Sequence, residues 1–111
     1  MKYDRISGFA DEIAEDVDTQ FRVLNKLDIR YFEPRGIDGK NIAELSDGEV
    51  AALKEKMERC GIKASSIGSP IGKIRLDEDF QAHFEKFQRV VDIAERLEAG
   101  YIRMFSFYPP E

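Results

Sequence analysis

Charged side chains beside prolines and glycines, and one arginine inside an apolar segment, are where chemistry is sought first in this 111-residue chain. Glu33 and Arg35 flank Pro34. A carboxylate there can accept hydrogen bonds from sugar hydroxyls, and a planar guanidinium can pair with a phosphate or carboxylate. The competing reading is a salt bridge that fixes the loop. Lys73 follows Gly68-Ser69-Pro70-Ile71-Gly72, where small residues let backbone amides approach an anion and an ammonium adds a point charge. Alternatively Pro70 and the glycines only shape a turn and Lys73 is solvated. Arg103 lies in Tyr101 to Phe107, three residues before Ser106, so in a strand the two face opposite sides. A buried arginine needs a partner, and Glu33 supplies one in a structural ion pair; substrate contact is the alternative.

Other reactive types carry weaker signals. Asp11 and Glu12 are adjacent carboxylates, but acid/base work needs environments that split their pKa values. Five acidic residues crowd positions 11 to 18, which reads as a solvated helix N-terminus. His83 falls one turn before Phe87 on a helical stretch and reads as a packed or capping histidine. Cys60, the single cysteine, excludes an intrachain disulfide, fits a reducing compartment and is read as a small buried apolar residue.

The elements that must position these groups follow from the hydrophobic period. A first strand is expected over Ile6 to Ala10, then a helix carrying Val17, Phe21, Leu24 and Leu27 on one stripe. A second strand, Ile29 to Phe32, ends at Pro34, which cannot donate to a ladder. Arg35 to Asn41 reads as a loop. Ser46 followed by Glu49 is a capping box, Val50, Leu53 and Met57 share a helix face, and Gly61 supplies the stop. Ile62 to Ile67 is the third strand. The last helix carries Phe80, Phe84, Phe87, Val91 and Ala94, widened by Val90 and Leu97 and closed by Gly100, before a fourth strand over Tyr101 to Phe107.

Strand starts fall at Ile6, Ile29, Ile62 and Tyr101, and each interval is long enough for a helix and its two turns, the spacing of βα units with right-handed crossovers. The fold class is α/β, one domain over residues 1–111. A small flavodoxin-like sheet is one way to close it. A phosphate-receiving signalling module of that type wants an aspartate at the end of strand three, where Ser65, Ser66 and Gly68 stand.

The strand-end segments Gly8-Phe9-Ala10-Asp11-Glu12-Ile13, Tyr31-Phe32-Glu33-Pro34-Arg35, Ser66-Ile67-Gly68-Ser69-Pro70-Ile71-Gly72-Lys73 and Ile102-Arg103-Met104-Phe105-Ser106-Phe107-Tyr108 point elsewhere. In order and spacing, over nearly the whole chain, they resemble the N-terminal half of the sugar phosphate isomerase/epimerase superfamily, the xylose-isomerase-like TIM barrels. The resemblance implies a (βα)3β half-barrel of four parallel strands and three helices, because a full barrel takes about 250 residues. It implies a parent activity of metal-dependent aldose-ketose isomerisation or epimerisation, with a divalent metal and acid/base glutamates on later strands. For this chain alone no cofactor, no metal site and no catalytic residue is expected, and Glu33, Arg35, Lys73 and Arg103 are the substrate-binding candidates. The endonuclease IV branch of the superfamily places a histidine ahead of the proline where Gly68 and Ser69 stand here, which counts against DNA repair.

Seventeen basic against twenty-two acidic residues leave a net charge of −5, which disfavours nucleic acid as a partner. No apolar run approaches the ~18 residues of a membrane span, and the charged first sixteen residues do not read as a signal peptide, so a cytoplasmic protein without membrane contact is expected. Open sheet edges predict a homodimer or a missing C-terminal half as partner, and a small carbohydrate or keto acid as ligand. The alternative function is a non-catalytic, self-associating half-barrel module.

Overall fold

The computed structural model describes residues 7–72 and 80–104. It is a mixed α/β fold with three helices, α1 (Val17–Lys26), α2 (Asp47–Cys60) and α3 (Phe80–Arg96), and six short strands: β1 (Tyr31–Phe32), β2 (Gly36–Ile37), β3 (Lys40–Asn41), β4 (Lys63–Ala64), β5 (Ser66–Gly68) and β6 (Tyr101–Arg103).

Two parallel pairings build the sheet, β1 with β4 and β5 with β6. Ser65 divides what the sequence presents as one strand, yet hydrogen bonds run through the division. Lys63 N–H donates to the Arg30 carbonyl at 2.8 Å, Ser65 N–H to Phe32 at 2.9 Å and Gly68 N–H to Pro34 at 2.8 Å. Pro34 has no N–H, so it takes part only as an acceptor. On the other side of this segment Glu33 N–H donates to the Gly8 carbonyl at 2.8 Å. Each parallel pair is a two-stranded sheet.

The expected first strand is not formed in the described residues. Gly8 and Phe9 run beside β1, but Ala10 opens a 3-10 turn over Ala10–Glu12, and Ile6 lies outside the described residues. The stretch read as a loop, Arg35 to Asn41, contains an antiparallel hairpin of β2 and β3. Its turn is Asp38-Gly39, both with positive φ, 51° and 82°, as a two-residue hairpin requires. The part of the fourth strand beyond Met104, with Ser106, lies outside the described residues, as does Lys73.

Capping follows the sequence signals closely at α2. Ser46 Oγ accepts from Glu49 N–H at 3.2 Å and the Glu49 carboxylate accepts from Ser46 N–H at 3.0 Å. Gly61 takes the left-handed conformation that ends the helix. The other two helices end the same way without glycine: Asp28 and Glu98 both have φ 59°. In each case the residue after the left-handed one bonds back into the last turn, Ile29 to Leu24, Ile62 to Met57 and Ala99 to Ala94, all at 2.9 Å. The closure of α3 expected at Gly100 is thus made two residues earlier, at Glu98.

The core is a single cluster under the helices, with the Phe21 and Phe32 rings edge to face at 5.1 Å. On α1, Gln20 replaces Leu27 in the buried set; Leu27 lies at the frayed end, 53% exposed. Along α3 and just past its end the buried residues are His83, Val90, Ile93, Ala94 and Leu97; Val90, Ala94 and Leu97 are as expected and Phe87 packs half-buried on the core, whereas Phe80 and Phe84 of the expected stripe are exposed. The C-terminal half of α3, where Ile93, Ala94 and Leu97 meet the core, sets the helix phase and turns Phe80 and Phe84 outward.

Candidate functional site

The C-terminal ends of the parallel strands lie together, and with them the segments around Phe9, Pro34, Gly68 and Arg103. This edge of an α/β sheet is where ligands bind in such folds. Glu33 follows β1 directly. Its side chain is 14% exposed; Oε1 accepts from Ser66 Oγ, and Oε2 lies 3.3 Å from Arg103 Nε. Oε2 accepts no well-aligned hydrogen bond among the described residues, so the ion pair is its compensation. Glu33 and Arg103, far apart along the chain, thus form the ion pair that charge and strand position led one to expect.

Arg35 makes the loop-fixing salt bridge that was the alternative expectation, with Asp11 as its partner. Its Nε and Nη2 donate to the two oxygens of Asp11 at 2.7 and 2.6 Å, a fork-to-carboxylate pair, with Glu12 farther off at 3.8 Å. Hydrogen bonding to Asp11 pushes the Arg35 pKa above its already high ordinary value, so this guanidinium is charged at any working pH. Asp11 itself is only 19% exposed, which corrects the reading of this carboxylate as part of a solvated helix N-terminus.

Phe9 organises both arginines. The Arg35 guanidinium lies 3.8 Å from the ring centroid and that of Arg103 4.3 Å. Guanidiniums are drawn to aromatic faces by the ring quadrupole. Gly68 makes the approach possible: a Cβ there would stand 2.9 Å from both Phe9 Cε1 and Arg35 Cβ. Ser69 Oγ donates to the Arg103 carbonyl at 2.5 Å, fixing the end of β6.

A small cavity of about 60 Å³ opens among Phe9, Arg35, Asn41, Gly68, Ser69, Pro70 and Arg103. Asn41 Oδ1 accepts from Ala43 N–H at 2.9 Å, which leaves its amide nitrogen as the side-chain group open to a further partner. On the other side of Arg35 a wider, shallower hollow of about 390 Å³ is lined by Asp11, Glu15, Arg35 and Lys40. A larger cavity, about 620 Å³, lies at the opposite edge, by Tyr31, Lys63, Leu97 and the Lys54–Glu98 ion pair. That edge holds the N-terminal ends of β1 and β4.

The sequence candidates therefore divide. Glu33, Arg35 and Arg103 form one cluster, while Lys73 lies outside the described residues. Phe9, Asp11, Ser66 and Ser69 complete the cluster without having been singled out as ligand contacts; adjacency in sequence could not show that Phe9 would sit between two arginines. His83 is packed: it is 8% exposed and its Nε2 accepts from Gly72 N–H at 2.8 Å. Cys60 is half-buried against the core.

The divalent metal implied for a parent enzyme does not fit the described residues. Asp11 gives both carboxylate oxygens to Arg35, Glu33 is engaged by Ser66 and Arg103, and no group of three potential ligands stands together among the described residues. Nor is any described helix long and apolar enough to cross a membrane. No family model, curated protein or solved structure matches the chain.

Proposed function

We propose that this chain is the N-terminal portion of an isomerase/epimerase-type parallel barrel, and that its strand-end cluster positions a small carbohydrate or keto acid. In this reading four parallel strands form half of a barrel, and the metal and acid/base groups of the parent activity, aldose-ketose isomerisation or epimerisation, belong to residues beyond this chain. The 111 residues alone are then catalytically inactive. The observation that supports the reading is that Arg35 and Arg103, far apart in sequence, meet over the Phe9 ring with Glu33 paired to Arg103, at the C-terminal ends of the parallel strands, where ligands bind in α/β folds.

Titration of the isotope-labelled chain with aldoses, ketoses, sugar phosphates and 2-keto acids, followed by amide chemical shifts, tests it. Saturable shifts at Glu33, Arg35, Gly68 and Arg103 are expected. Shifts confined to other surfaces, or none with any compound, would refute it.

A second reading has its own observation. In the described residues β6 pairs only with β5, and Tyr101 and Met104 beside its free edge are 77% and 51% exposed. An unpaired edge with apolar side chains is a template for association. Sedimentation giving a species of twice the 12.8 kDa chain mass would favour a self-associating module.

A further inference from the structure

We propose that the small cavity beside Arg103 is the seat of one oxyanion group, a carboxylate or a phosphate. The assignment rests on the strand-end site proposed above and specifies which end of the ligand lies there. Two observations carry it.

The polar groups offered to the cavity are mostly donors. Arg35 uses Nε and Nη2 on Asp11, and Arg103 sets Nε against Glu33; the remaining guanidinium nitrogens, Nη1 of Arg35 and both Nη of Arg103, have no partner among the described residues. Asn41 adds its amide nitrogen, its oxygen being taken by Ala43 N–H. Among the described residues, by contrast, no carboxylate lines the cavity wall. Asp11 and Glu33 hold the guanidiniums from behind, so they orient the donors without facing the occupant.

The geometry is also set in advance. Phe9 spaces the two guanidiniums, Ser66 and Glu33 fix the head of Arg103, and Ser69 fixes its backbone. An oxyanion arriving here meets planar donors already aimed, which is how guanidinium recognises carboxylate and phosphate.

The test uses the full chain with inorganic phosphate in one arm and glycolate in the other, read by the Nε–H resonances of Arg35 and Arg103 and the amides of Asn41, Gly68 and Ser69. Saturable shifts of these signals are expected in at least one arm, and the responding arm identifies the oxyanion. Arg103→Gln should weaken the affinity about tenfold, as loss of a charge-assisted hydrogen bond implies. Lys40→Gln, which removes an equal charge outside the cavity, should leave it unchanged. Arg103→Lys serves as a second variant that keeps the charge and loses the fork, and it should bind less tightly than the parent chain. Equal loss in the Lys40 and Arg103 variants would overturn the assignment in favour of diffuse electrostatics. Neutral sugars shifting the cluster while both anions fail would overturn the oxyanion seat yet leave the strand-end site standing. Silence with every compound would overturn both.

Discussion

Replacing Gly68 by alanine tests whether the arginine cluster is as tightly set as the distances indicate. The added methyl would meet Phe9 Cε1 and Arg35 Cβ at 2.9 Å and the Pro34 carbonyl oxygen at 3.3 Å. Carbon atoms rest about 3.5–4.0 Å apart, so two contacts are too short by roughly 0.6 Å or more. Neither neighbour can swing away cheaply. Arg35 Cβ moves only with its backbone, and the Phe9 ring is confined by guanidiniums at 3.8 and 4.3 Å. Overpacking of this kind costs about 1–3 kcal/mol. Reduced freedom of the unfolded chain returns about 0.4–1 kcal/mol for a glycine-to-alanine change, leaving a net loss of about 1–2 kcal/mol. For a domain of this size that is a fall of roughly 5–10 °C in Tm. The assay is a thermal melt by circular dichroism, with Gly48→Ala as control. Gly48 lies in α2 with nothing within 4 Å of its Cβ, so that variant should gain up to about 1 kcal/mol from helix propensity. If Gly68→Ala melts at or above the parent temperature, the close approach of Phe9, Gly68 and Arg35 is not part of the folded state and the argument for a set cluster fails.

Two other outcomes follow from the same structure. Asp11→Ala strips Arg35 of its fork partner; with both side chains partly solvated, a loss of about 1–2 kcal/mol in urea unfolding is expected, and Gly36→Ala, whose methyl would press on Asp11 Oδ2 at 2.9 Å, should cause part of the same loss. An unchanged urea midpoint in both would show that the pair contributes nothing. Asp16, Glu49 and Glu98 are held below their ordinary carboxylate pKa values, chiefly by hydrogen bonds from Thr19, Ser46 and Lys54 respectively. Since their folded pKa values are the lower ones, their stabilisation is complete above the unfolded values near 4 and disappears as pH falls through the folded values. Glu49→Gln should therefore flatten the acid limb of a Tm-against-pH curve while leaving its shape above about pH 6 unchanged; an unaltered acid limb would count against the capping box as a pH-linked element.

What the sequence disclosed depended on how local the cause was. The α2 boundaries were legible because Ser46, Glu49 and Gly61 act on their own helix. The hairpin turn was also written locally, as Asp38-Gly39, but the flanking strands are two residues each, too short to show alternation against a background of loop residues. Only the first turns of α3 were misread, because Phe80 and Phe84 outweigh one histidine on any hydrophobicity scale, whereas His83 is buried through a bond to Gly72 that periodicity cannot report. The helix stops at Asp28 and Glu98 were hidden for the converse reason: a left-handed residue is announced by glycine, and here neither site has one. At the site, Glu33 and Arg103 could be paired by charge and strand position, while the pairing of Arg35 with Asp11 depends on the 3-10 turn that replaced the end of the first strand.

That turn and the hairpin after Arg35 are tied to one another at several points. The Gln20 amide donates to the carbonyls of Ala14 at 2.9 Å and Gly36 at 3.1 Å; Asp38 Oδ1 accepts from Val17 N–H at 2.9 Å, and Asp38 N–H donates to Glu15 at 2.9 Å. The loop before α1 and the loop after β1 thus behave as one piece of masonry, with Asp11 and Arg35 set into its face. A ligand that docks on this face finds these two loops already joined. Its association should carry little loss of main-chain entropy, proceed in a single kinetic step, and leave the amide exchange of Val17 and Asp38 as slow without ligand as with it.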